Sequence, residues 1–81
     1  MPRYFFHVQD GQDYPDRQGT VLADLNAARR EGVRYAAALL AEHHEKFWDA
    51  GEWSMQVAND QNMTLFQLTF FVTESAGSSK S

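Results

Sequence analysis

The stretch DLNAARREGVRYAAALLAEHHEKFW, Asp24 to Trp48, decides the fold. Read at 3.6 residues per turn, Leu25, Ala28, Gly32, Ala36, Leu39, Leu40, His43 and Phe47 share one stripe. Arg30, Glu31, Arg34, Ala38, Ala41, Glu42 and Glu45 lie opposite. Asp24 can accept a hydrogen bond from an amide that the first turn leaves unpartnered, and Gly51 can close the far end in the left-handed conformation. No proline interrupts the run. The spacing predicts one helix of about 24 residues, roughly 36 Å long. Gly32 and Ala28 on its inner stripe would admit a close approach to whatever lies beneath.

Strands are expected on both sides of it. Arg3 to Gln9, RYFFHVQ, is rich in aromatic and β-branched residues and stops at the turn signal Asp10-Gly11. Tyr4, Phe6 and Val8 share one face and Phe5 and His7 the other. A polar loop follows from Asp10 to Gly19, then a short strand over Thr20 to Leu22. Glu52 to Ala58 alternates Trp53, Met55 and Val57 against Glu52, Ser54 and Gln56. After a polar turn at Asn59 to Asn62, Met63 to Thr73 reads as the longest strand. Phe66, Leu68, Phe70 and Val72 lie on one of its faces, and Leu65, Gln67, Thr69 and Phe71 on the other. The order β-β-α-β-β predicts an α+β fold: an antiparallel-type four-stranded sheet with one long helix packed on one face. One domain over residues 1–73 is expected, with a small, polar, disordered tail over 74–81. The expected core is Tyr4, Phe6, Val8, Leu25, Ala28, Gly32, Ala36, Leu39, Phe66, Leu68 and Phe70, with Trp53 and Met55 between core and surface.

Size and composition narrow the function. A chain of 81 residues buries only about 60% of its unfolded surface, so its stability is marginal unless a partner covers more. It has no cysteine, which removes disulfides and thiolate metal sites and fits a reducing compartment. No apolar run is long enough to span a bilayer. Met1-Pro2-Arg3-Tyr4 leads straight into a strand-like segment, so no signal peptide is expected and a cytoplasmic location is the default. A net charge of −4 argues against wholesale binding of nucleic acid, which needs a basic surface to displace counterions.

Pro2-Arg3-Tyr4-Phe5-Phe6-His7-Val8, Asp10-Gly11, Gly19-Thr20, Leu22-Ala23-Asp24-Leu25 and Ala27-Ala28-Arg29 together resemble a known small family. These are the short "PRYFF…DG…G…DL..A" domains of unknown function found mainly in alphaproteobacteria. The resemblance runs nearly to Thr73. It implies a stand-alone cytoplasmic β-β-α-β-β domain, and it carries no catalytic residue or cofactor with it. A fainter similarity of fold is to the strand-strand-helix core of small antitoxin-like domains, an analogy only.

The chemistry-bearing residues form no familiar constellation. His43-His44-Glu45 invites a metal reading, but neighbouring helical residues point about 100° apart. Phe47 stands where a second ligand one turn from His43 would be needed. Asp10, Asp13 and Asp16 lack the alternating spacing of a calcium loop and read as a solvated turn whose side chains bond local amides. There is no G-x-S-x-G and no glycine-rich phosphate loop. No catalytic, cofactor or metal residue is therefore expected, and an enzyme would have to show itself as a concave pocket with convergent polar groups.

Two features point to a partner instead. Aromatics make up 14% of the chain, and one helix can cover only one face of a sheet. Phe5, Leu65 and Phe71 are left on the other face, with Trp48 nearby as a further candidate. Arg29, Arg30 and Arg34 crowd the first half of the helix and Glu42, Glu45 and Asp49 the second, which opposes the macrodipole. Antiparallel pairing of two helices across a two-fold axis would set each basic end beside an acidic one. The sequence thus predicts a small binding or regulatory module acting through self-association as a homodimer. Its interface candidates are Phe5, Leu65, Phe71, Trp48, Arg30 and Arg34. The alternative is an antitoxin-like, nucleic-acid-associated regulator using the Arg29/Arg30/Arg34 patch.

Overall fold

The computed structural model describes residues 1–75. β1 (Arg3–Gln9) buries Tyr4, Phe6 and Val8 and leaves Phe5 and His7 half-buried on its other face. Two very short strands, β2 (Asp13–Tyr14) and β3 (Thr20–Val21), return along the same side of β1. Helices α1 (Leu25–Glu42) and α2 (His44–Ala50) follow, then the hairpin of β4 (Glu52–Ala58) and β5 (Thr64–Phe71). Among the described residues the sheet has five strands, all pairs antiparallel, in the order β2-β1-β4-β5 with β3 also on β1.

The α+β class holds, with three adjustments. A fifth strand, β2, lies inside the expected acidic loop. β5 covers Thr64–Phe71 rather than Met63 to Thr73. The helix is two helices. Asp24 caps α1 as its position suggests, its Oδ1 accepting from Ala27 N–H at 2.8 Å. The turn then breaks at His43 (φ −116°, ψ 40°), whose N–H closes on the Leu39 carbonyl and whose own carbonyl starts α2. The reason is length. The 18 residues of α1 already extend about 27 Å, whereas the seven residues of β4 span about 24 Å. A straight continuation would run off the sheet. Bending at His43 brings Phe47 back against the core and lets Gly51, left-handed at φ 78°, close α2 and turn the chain into β4. His43 is accordingly not an inward residue; its side chain is 51% exposed.

Being central, β4 forms the heart of the core. Trp53, Met55 and Val57 are buried beneath the helix, and Ser54 and Ala58 are buried on the opposite face between β1 and β5. Ala28, Gly32 and Ala36 are buried on α1 as the stripe requires. Phe66 and Leu68 are only partly buried, and Phe70, expected in the core, is 40% exposed because β5 is an outer strand. The expected disordered tail lies, from residue 76 onward, outside the described residues.

Gly32 sits over the Phe66 ring, yet a methyl group there would meet that ring at 3.5 Å, an ordinary contact. The close approach therefore does not depend on glycine. Gly32→Ala is expected to be neutral or to stabilise by up to about 1 kcal/mol through helix propensity. A denaturant midpoint that falls would contradict this.

Candidate functional site

Between α1 and the return limb from Tyr14 to Thr20 the fold leaves a cleft of about 670 Å³. Phe6, Val8 and Trp53 of the sheet form its floor. Glu31, Tyr35 and Leu39 of α1, His43 at the break and Lys46 of α2 stand on one side, and Tyr14 through Gly19 on the other. Tyr35 meets the Phe6 ring edge-on with centroids 6.3 Å apart. Lys46 reaches across, its Nζ 5.6 Å from the centre of the Tyr14 ring and 3.4 Å from that hydroxyl.

The return limb is shaped by Asp16. Between the paired positions Tyr4↔Thr20 and Val8↔Tyr14, β1 contributes three residues (5–7) and the returning chain five (15–19). The two extra residues break the ladder. Asp16 fills the gap: Oδ2 accepts from Phe6 N–H at 3.1 Å, and Oδ1 from Gln18 and Gly19 N–H at 3.1 and 2.9 Å. Its own N–H donates to His7 Nδ1 at 3.0 Å. Burial would raise the Asp16 pKa, but the amides of Gly19, Phe6 and Gln18 together hold it below the ordinary 3.8.

Asp16→Asn is expected to cost about 1–2 kcal/mol at neutral pH, because an amide nitrogen would then face backbone donors. A folded-state pKa below the unfolded one stabilises above the unfolded value and is lost as pH falls through the folded one. The gap between wild type and variant should therefore be full at neutral pH and close on acidification below the ordinary aspartate range. Urea titrations at neutral pH and near pH 3 would check this; a gap that widens in acid would contradict it.

The residues singled out in the sequence occupy separate places. Phe5 is half-buried, stacked on His7 with centroids 6.4 Å apart. It pairs with Ala58, and Ala58 with Thr64, so Phe5 and Leu65 lie toward one end of the open face. Phe71 pairs with Glu52 at the other end. From Ala58 to Glu52 is about 20 Å, and Ser54 and Gln56 lie between. The three side chains therefore do not form one patch. Trp48, 59% exposed, leans on Phe47 at the Phe71 end. Arg30 and Arg34 are exposed on the outer side of α1, and Arg34 holds Glu31 through both carboxylate oxygens, at 3.0 and 2.7 Å. His44 is exposed as well.

The cleft itself was not foreseen. Its walls come from segments far apart in the chain, and the only local signal was Asp16 followed three residues later by Gly19, the pattern of a side-chain-closed turn.

Geometry defines the class: a small α+β domain, one helical layer on a five-stranded antiparallel sheet, with no helix among the described residues long and apolar enough to cross a membrane. Residues 3–71 match the family described as "Domain of unknown function (DUF6894)", and the chain belongs to that family. Neither a curated protein nor a solved structure matches it.

Proposed function

We propose that this domain is a cytoplasmic binding or regulatory module that acts by self-association, as a homodimer, without chemistry of its own. The supporting observation is the apolar surface left uncovered. Phe71 is 68% exposed, Trp48 59%, Phe70 40% and Leu65 36%. Three of these four lie on β5, whose outer side has no strand beside it among the described residues. Apolar side chains strung along an unpaired edge strand make that edge a template for another protein's strand. The cleft supports the non-catalytic reading, since two of its carboxylates are already committed, Asp16 to backbone amides and Glu31 to Arg34.

The nucleic-acid reading has less support. Arg34 spends its charge on Glu31, leaving Arg29 and Arg30 as the patch, on a chain of net charge −4. Sedimentation velocity over a range of concentrations tests the proposal. Mass rising toward that of a dimer is the expected result, and a strict monomer at high micromolar concentration would remove it. A gel-shift titration with Arg29, Arg30 and Arg34 changed to Ala tests the other reading; salt-sensitive binding lost in that variant would restore it.

A further inference from the structure

Building on the self-association reading, we infer that two copies of this chain join through the outer edges of β5, antiparallel, across a two-fold axis at Leu68. The two borders of the sheet are built differently. On the β1 side the ladder is cut into the two-residue strands β2 and β3, and Asp16 takes the amide of Phe6 between them. That edge is closed to a visitor. On the other side β5 runs for eight residues, TLFQLTFF, without a proline, a glycine or a charge; its register with β4 shifts at Val57/Ala58, where Leu65 is the extra residue, and is regular from Phe66 to Phe71. Long apolar edges are normally blunted by such residues, and one that lacks them is a template for another strand.

The backbone is set for such pairing. Val72 N–H donates inward to the Gly51 carbonyl at 3.0 Å. By antiparallel alternation Phe70, Leu68 and Phe66 also turn their backbone groups to β4, and Gln67, Thr69 and Phe71 turn theirs outward.

The partner is a second copy because a two-fold axis needs a strand that reads alike in both directions. Leu65 to Phe71, LFQLTFF, does so about Leu68: apolar, apolar, polar, apolar, polar, apolar, apolar. Pairing about that residue sets Leu65 opposite Phe71 of the partner subunit and Gln67 opposite Thr69 of the partner subunit on the open face. On the helix face it sets Phe66 opposite Phe70 of the partner subunit. Like meets like on both faces, which is what fixes a register. An axis at Thr69 would instead oppose Gln67 to phenylalanine and Leu65 to threonine. Val33, 59% exposed on the flank of α1 turned away from Tyr35, stands above the same border and would be covered with it.

The test compares the full chain with Thr69→Pro, which removes an outward amide and no bond to β4. Wild type should sediment as a dimer and Thr69→Pro as a monomer with an unchanged circular dichroism spectrum. If Thr69→Pro stays dimeric, the β5 contact is wrong while self-association stands. If wild type is monomeric, both fall, and the edge is left for a strand from a different protein. Should Thr69→Pro not fold, cysteines decide, since the chain has none of its own. Gln67→Cys chains mixed with Thr69→Cys chains would place paired Cα atoms about 5.5 Å apart, within disulfide reach. Oxidation should then yield a covalent dimer from the mixture and not from either chain alone; no covalent dimer from the mixture overturns the inference.

Discussion

Gly19→Ala is expected to lower stability by roughly 3 kcal/mol, near the upper end for a single substitution. Two costs coincide there. Gly19 has φ 71°, and an L-residue held left-handed loses about 1 kcal/mol. A β-carbon would also stand 2.9 Å from the Tyr4 carbonyl oxygen, from Arg3 Cγ and from Phe5 Cε2. The carbonyl belongs to the backbone of β1 and cannot swing aside. Relief would have to come from the return limb, at the expense of the Gly19 N–H bond to Asp16. Gly51 supplies the control: its φ is 78°, but no atom lies within 4 Å of the added carbon. Gly51→Ala should therefore show the conformational cost alone, about 1 kcal/mol. Denaturant midpoints for the two variants separate the contributions. Equal losses would mean that the limb moves freely and that Asp16 does not anchor it.

What could be read from the chain beforehand follows the range of the forces involved. The start of α1 and its inner stripe from Leu25 to Leu40 were legible, because a cap and a 3.6-residue period are local signals. The break at His43 was not. Nothing in EHHEK disfavours helix, and the bend answers to the length of a sheet assembled from distant segments. Likewise the alternation in Glu52 to Ala58 showed a strand with one buried face but not that β4 is central. Its centrality is why Ser54 and Ala58 are buried too, at 6% and 2% exposure. β2, two residues long, is too short to carry any alternation. The exposure of Phe71 and Leu65 was legible from the count of apolar faces against available cover. The cleft depended on where Asp16 folds back against β1, a contact ten residues away in sequence.

Met55→Ala should match or exceed the loss at Gly19, at about 3–4 kcal/mol. Met55 is fully buried, pairs with Val8 on β1 and Leu68 on β5, and lies under the helix, so every side of the resulting cavity is bounded by an element that cannot close on it alone. A domain of this size has only about 4–12 kcal/mol in total, so a substantial part of the variant should be unfolded at 37 °C. Phe70→Ala provides the contrast. It removes a larger side chain from the neighbouring strand, but one that is 40% exposed and touches Trp53 with centroids 5.9 Å apart. In the monomer its loss should stay near 1–2 kcal/mol, since only the buried part of the ring contributes. The order of the two variants is the informative result, measured by urea unfolding at low protein concentration. If Phe70→Ala proves the more damaging there, the border of the sheet rather than its centre carries the stability, and the placement of the core at β4 is wrong.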